Sequence, residues 1–237
     1  AAPDALSRPQ GSAAGGVRMT LTGEGFASAP AGMLVEITAG GAEVVQHCIV
    51  LSASVEAGEL ECRTMPAPRP LNAAGTLCSV RVSALDASGA VVSSVTLASA
   101  YLLMPTTDSP VVSSLSATSG SAAGGLLLCL TGQNLDLNQS VAPAVLVGTA
   151  ACSTANTTWT ATQLCCMTSN HTAGVVNVSV HASPFGYALS AESLPLFSYT
   201  DPPTLFAITP TASHIGSEIG IEMSVPSVMD RAPMTTL

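Results

Sequence analysis

Seven cysteines are the residues in this 237-residue sequence with the most chemistry to offer. Cys48 and Cys62 stand 14 positions apart, and so do Cys152 and Cys166. Cys78, Cys129 and Cys165 complete the set, with Cys165 adjoining Cys166. Thiols in such numbers serve as metal ligands, redox couples, disulfides or buried free groups. No C-x-x-C is present, and two adjacent cysteines with separate partners are a smaller demand than a redox centre. The rest of the inventory holds no G-x-S-x-G, no H-E-x-x-H and no phosphate-binding loop. His47, His171, His181 and His214 are scattered without carboxylates at useful spacing, so each reads as an isolated surface or core residue. Asn134, Asp136 and Asn138 put oxygens at alternate positions, as a calcium loop does. The Gly and terminal Glu of that loop are missing, which leaves a polar turn. Trp159 lies just before a strand and reads as packing over a sheet edge. The expectation is therefore no enzyme, with no catalytic, cofactor-binding or metal residues.

A second chemistry is that of the side-chain amides. Asn138 (NQS), Asn156 (NTT), Asn170 (NHT) and Asn177 (NVS) all satisfy N-x-S/T, the acceptor pattern for N-glycosylation. From Leu137 to Ala191 there is no Asp, Glu, Lys or Arg. A domain with so little surface charge is sticky unless something else solvates it, and N-glycans would do so. Glu56, Glu59 and Glu61 form the opposite case, an acidic edge in a region free of such sites. Net charge is −9 and all six basic residues are Arg, so no basic stripe for nucleic acid exists. Aromatics at 3% leave little to stack on a base or a sugar.

The elements that carry these residues are short strands. Val17, Met19 and Leu21 alternate with Arg18, Thr20 and Thr22, the period of a half-buried strand. Residues 33–39, 42–50, 58–64, 76–85 and 91–103 read the same way, separated by Gly, Pro and Ser. The order recurs in VVSSL, LLLCLTG, PAVLVG, TQLCCMT, GVVNVSVHA and LPLFSYT from Val111 to Thr200. The stretch from Ala87 to Thr107 carries too many Ser and Thr for a membrane helix, which needs about 20 predominantly apolar residues. GSAAGG occurs twice, at Gly11–Gly16 and at Gly120–Gly125, an offset of 109 residues. Each copy leads into a strand ending in Leu-Thr-Gly, so the chain is a repeat. Domains are expected at 1–104 and 111–201, joined by a Pro-bounded hinge at 105–110. A third repeat would begin at 202–237, where Pro203 and Ile208 match Pro110 and Leu115. The sequence does not begin with Met and shows no signal peptide, and reads as a segment of a longer array.

Several of these residues carry a resemblance. P-x-V-x-x-L at Pro110–Leu115, then GSAAGG, then Leu-Thr-Gly is similar to the IPT/TIG family of immunoglobulin-like domains. So are V-L-V-G-x-x-x-C at Val145–Cys152 and the exit F-S-Y-x-D-P-P at Phe197–Pro203. The first repeat departs at its exit, where Ala100, Tyr101 and Leu102 stand. The resemblance implies an all-β fold of tandem Greek-key β-sandwiches. It implies disulfides Cys48–Cys62 and Cys152–Cys166, each with one cysteine before and one within the ELEC or QLCC strand. It also makes the strands of Cys129 and Cys165 neighbours. Both cysteines face outward by strand alternation, so a third bridge is allowed there and Cys78 is left as a buried thiol.

Such domains occur in plexin-like and Met-like receptors, fibrocystin-like surface proteins, some transcription factors and some starch-acting enzymes. With disulfides and sequons, the expectation is a non-enzymatic spacer and protein-interaction or adhesion segment of an extracellular or cell-surface glycoprotein. Its partners would be proteins or neighbouring repeats and N-linked glycans, with no nucleic acid and no membrane contact in this segment. Alternatives are a structural repeat of a ciliary-surface or cell-wall filament, or an accessory domain of a carbohydrate-active enzyme. Glu56, Glu59 and Glu61 are the candidate interaction face.

Overall fold

Alternating burial is what makes these segments strands. Along Arg18–Thr22 the side chains run exposed, buried, exposed, half-buried, exposed; along Leu127–Gln133 Leu128, Leu130 and Gly132 are buried between more exposed neighbours. The computed structural model describes residues 9–27, 29–40, 43–67, 75–138, 140–155, 157–190, 195–209 and 220–224. Among these it is all β apart from one 3₁₀ turn at Pro30–Gly32, and no helix is long and apolar enough to cross a membrane.

The first domain holds β1 (Gln10–Gly11), β2 (Arg18–Thr22), β3 (Met33–Ala39), β4 (Glu43–Ser54), β5 (Glu59–Thr64), β6 (Thr76–Leu85) and β7 (Val91–Leu103). They form one sheet in the order β1-β7-β6-β3-β4-β5-β2. Two layers were expected; here both belong to one curled sheet because β4 passes from one to the other. Its first half pairs with β3 from Ala39↔Glu43 to Val35↔Cys48, and its second half with β5 from Cys48↔Thr64 to Ser54↔Glu59. A bulge between Val50 and Ser52 turns the strand. The curl encloses a core that includes Val35, Ile37, Leu60, Tyr101 and Leu103.

The second domain holds β8 (Val111–Leu115), β9 (Ser119–Ser121), β10 (Leu127–Gln133), β11 (Ala144–Val147), β12 (Ala150–Cys152), β13 (Gln163–Met167), β14 (Gly174–Ala182), β15 (Gly186–Tyr187), β16 (Leu189–Ser190) and β17 (Leu196–Thr200). These make two sheets, β13-β10-β8-β16 and β12-β11-β14-β17-β9, around a separate core of Leu128, Leu130, Leu164, Val178, Val180 and Phe197. Beyond it, β18 (Thr204–Thr209) and β19 (Gly220–Ser224) pair antiparallel in the region assigned to a third repeat.

The exit of the first domain differs from the sequence expectation. β1 sets Gly11 opposite Leu103, and β9 sets Gly120 opposite Tyr199. Since Gly11 and Gly120 open the two copies of GSAAGG, Leu103 occupies the place of Tyr199 and Tyr101 that of Phe197. The first repeat thus has an exit of the same form, Tyr101-x-Leu103, shifted by one from the residues singled out in the sequence. The segment between the domains is a tied turn rather than an open hinge. Asp108 N and Ser109 N both donate to Pro105 O, at 3.1 and 3.0 Å, and Asn134 Nδ2 donates to Thr107 O and Ser109 O at 2.7 and 3.1 Å.

Candidate functional site

The most constructed surface in the molecule is where the first GSAAGG loop meets the second domain. The loop is built from its own backbone: Gly15 N donates to Ser12 O at 3.0 Å, and Ala14 N to Ser12 Oγ at 3.0 Å. Gly16 N and Val17 N are received by Thr64, at O (2.7 Å) and Oγ1 (3.0 Å). Gln46 Nε2, buried, reaches Ser12 O at 3.2 Å. Gly15 and Gly16 have φ of 75° and 88°, which side-chain-bearing residues rarely adopt.

Onto this loop comes the tip that joins β14 to β15. Ser12 N donates to Phe185 O at 2.9 Å, and Tyr187 N donates to Gly15 O at 2.7 Å. His181 Nε2 lies 3.1 Å from Gly16 O, which places its proton on Nε2, and its ring meets the Tyr187 ring edge-on at 5.1 Å. The Tyr187 ring lies where a side chain on Gly16 would have to go, and Gly15 O lies where one on Gly186 would. The tip is held from its own side by Asn138, whose Nδ2 donates to Ser183 O at 3.1 Å.

His181 is therefore a joint residue and not the isolated histidine expected from sequence. The sequence signal was the pair of adjacent glycines repeated in both copies. Their backbone need was legible, while the partner they admit was 165 residues away. The amide of Asn134 holds the linker and that of Asn138 holds the tip. Among the described residues no group of His, Cys, Asp and Glu is arranged to hold a metal ion. Trp159 is half-buried against the second core, beside a shallow hollow of about 300 Å³ that it shares with Asp136, Thr157 and Thr158.

Three disulfides close: Cys48–Cys62, Cys152–Cys166 and Cys129–Cys165. The first two lie in the cores; the third crosses between directly opposed residues of β10 and β13, outside the core. Cys78 is free and fully buried, and burial pushes its thiol up from the ordinary value. Asn170 and Asn177 are exposed and Asn138 half-buried, while Asn156 lies outside the described residues. Of the acidic edge, Glu56 and Glu59 are exposed and free of ion pairs among the described residues. Glu61 is half-buried and 3.3 Å from Arg18 Nη1 across the β2–β5 pair. Glu36 is buried and pairs with Arg81 instead of adding to this surface. Both faces of β3 are covered, and Glu36 Oε2 takes bonds of 2.8 and 2.6 Å from Arg81 Nε and Nη2.

Residues 110–199 match the family model of the IPT/TIG domain. The second domain is an IPT/TIG domain. Its loop, its core disulfide position and its exit recur in the immunoglobulin-like first domain. Among solved structures, the full extracellular region of plexin A4 aligns with 85% of this chain at 18% identity and a TM-score of 0.39. SGBP-B from the mixed-linkage glucan utilization locus of Bacteroides ovatus, solved in complex with a mixed-linkage heptasaccharide, aligns with 86% at 12% identity and 0.32. SGBP-B from a complex xyloglucan utilization locus in Bacteroides uniformis aligns with 78% at 14% identity and 0.31. The chain spans 16% of the plexin region and 46% of each Bacteroides protein. No curated protein matches it in sequence.

Proposed function

We propose that this chain is a non-enzymatic spacer and protein-interaction segment of a large extracellular or cell-surface glycoprotein. The joint at Gly11–Gly16 is the observation that carries this reading. Two immunoglobulin-like domains meet through backbone hydrogen bonds, the His181 imidazole and the Tyr187 ring, and each of these is committed to holding the joint. Three disulfides in 237 residues suit an oxidising compartment, because reduced glutathione and thioredoxin keep cytosolic thiols apart. Exposed Asn170 and Asn177, in a stretch without charge, are where N-glycans would supply solvation. The outer face of the first domain, with Arg18, Glu56, Glu59 and Glu61, is the surface for protein contact. It has no sequon, and charges across an interface set register and specificity.

Intact mass and thiol counting of the native protein test this together. The expected result is one thiol out of seven cysteines after denaturation without reductant, at Cys78, and hexosamine-containing mass on peptides bearing Asn170 and Asn177. Several free thiols with unmodified asparagines would rule out the extracellular reading.

A further inference from the structure

The same six residues stand at two places in the molecule, and among the described residues only the first is covered. The second loop repeats the first bond for bond. Gly124 N donates to Ser121 O at 2.9 Å, Ala123 N to Ser121 Oγ at 3.1 Å, Gly125 N to Thr168 O at 2.8 Å and Leu126 N to Thr168 Oγ1 at 3.0 Å. Its two last glycines have φ of 77° and 82°. The place in the domain is also the same: Met104 N donates to Gly11 O where the chain leaves the first domain, and Ala122 N donates to Thr200 O where it leaves the second.

What differs is the far side. In the first loop the carbonyls of Gly15 and Gly16 receive Tyr187 N and His181 Nε2, and Tyr187 lies over Gly16. In the second, no described group donates to the carbonyls of Gly124 and Gly125, and no described atom lies within 4 Å of where a Gly125 side chain would stand. Gly124 is kept bare by the Thr168–Asn170 backbone of its own domain, but at Gly125 no described atom of the second domain requires a glycine beyond the φ itself. The surroundings differ at two places: His171 N donates to Ala122 O where Ala67 N donates to Ala13 O, and among the described residues the second loop has no counterpart of Gln46 Nε2 on Ser12 O. His171 stacks on Tyr199, with centroids 5.0 Å apart, and leaves the loop open.

We infer that Gly120–Gly125 is the acceptor of a second, identical joint. Its occupant is the β-hairpin tip of an immunoglobulin-like domain that follows Pro203. That tip offers a carbonyl to Ser121 N, an N–H to Gly124 O two residues later, and an aromatic ring to the face of Gly125. The inference rests on the reading of this chain as a spacer and makes that spacer a rod with a repeated, angle-fixing joint. The chain leaves the second domain at Thr200, whose carbonyl receives Ala122 N of this loop, and continues into β18 and β19, so the following domain is tethered next to the loop.

A joint closed through a short linker works at an effective concentration of about millimolar, so its intrinsic affinity has to be of that order or tighter. The probe is a peptide with the sequence of residues 180–189, the tip that fills the first loop, closed by a disulfide between one cysteine added at each end. It is titrated to several millimolar into the ¹⁵N-labelled 237-residue chain. Saturable shifts are expected at Ser121, Gly124, Gly125 and His171, at least tenfold weaker with a Tyr187→Ala peptide. The first loop, already filled, stays unperturbed. Absence of saturable shifts at Gly120–Gly125, shifts only at Gly15 and Gly16, or indifference to the Tyr187→Ala change would each overturn the inference. None of these outcomes bears on thiol count or glycan mass, which test the spacer reading separately.

Discussion

The first domain carries its polar surface as charge and holds its two layers with a strand; the second carries amides and hydroxyls and uses sulfur. In the first, β4 runs unbroken from Glu43 to Ser54 and hydrogen-bonds into both layers. In the second, the matching course breaks after Cys152, and among the described residues only the Ser153↔Met167 bridge and the small Trp159↔Leu164 bridge continue it. Cys152 lies in one sheet and Cys166 in the other, so their disulfide joins layers that the backbone barely connects. Cys48–Cys62 sits at the same place but joins two strands already paired in one sheet. The same covalent bond has a different mechanical duty in each domain. Composition agrees: Arg18–Glu61 and Arg81–Glu36 orient strands of the first domain, while no charge exists from residue 137 to 191 to do so in the second.

The largest effect should separate these duties. Both bridges close loops of separation 14, for which chain entropy gives about 3 kcal/mol apiece. The double variant Cys48→Ala/Cys62→Ala should lose about that amount, because β4 still spans the layers. Cys152→Ala/Cys166→Ala should lose clearly more and bring hydrogen exchange of β12 up to the global opening rate. Chemical denaturation with exchange read per domain decides it. Equal losses would mean that the broken strand matters little and that the comparison is wrong.

A middle-sized effect tests the two loops against each other. Alanine at a φ near +85° costs about 1–2 kcal/mol wherever it is placed, so Gly125→Ala measures that cost alone. Gly16→Ala adds a methyl in the path of the Tyr187 ring. It should lose more stability than Gly125→Ala, and it alone should deprotect the amides of Ser12 and Tyr187. If both variants leave those amides protected, the ring is not seated on Gly16.

Strands were easy to read because burial alternates with the same period as the residues, as in Met19 and Leu21 or Leu128 and Leu130. The cysteine faces follow from that alternation: Cys62 and Cys166 share theirs with Leu60 and Leu164, and Cys165 takes the other. What alternation cannot report is a strand covered on both faces, as β3 is around the buried Glu36. Nor can it report a strand that changes layers, as β4 does. The joint was hidden for a different reason. Backbone carbonyls are present at every residue, so nothing in the spelling of GSAAGG names a donor 165 residues on. His181 carried no local partner in sequence because its partner is a backbone atom of the other domain.

The smallest effect concerns one oxygen. Strand register puts Tyr101 where the second domain has Phe197, and both rings are fully buried. Each ring ends against the first glycine of its loop: the Tyr101 hydroxyl at Gly11, the Phe197 Cζ at Gly120. The hydroxyl makes no hydrogen bond of acceptable geometry, although the Thr64 side chain lies near it, and burial pushes the phenol well above its ordinary value. An unpartnered buried hydroxyl costs about 1–3 kcal/mol of desolvation, against which its ring packing is the same as that of phenylalanine. Tyr101→Phe should therefore stabilise the first domain, by about 1 kcal/mol in urea denaturation. The reverse change, Phe197→Tyr, should destabilise the second by about 1–3 kcal/mol, because the added oxygen meets the Gly120 backbone in a filled core. A loss of stability in Tyr101→Phe would show that the hydroxyl has a partner, and the two rings would then not be equivalent. Opposite signs for the pair would establish that the domains share one core plan, with the first carrying an oxygen that its fold does not use.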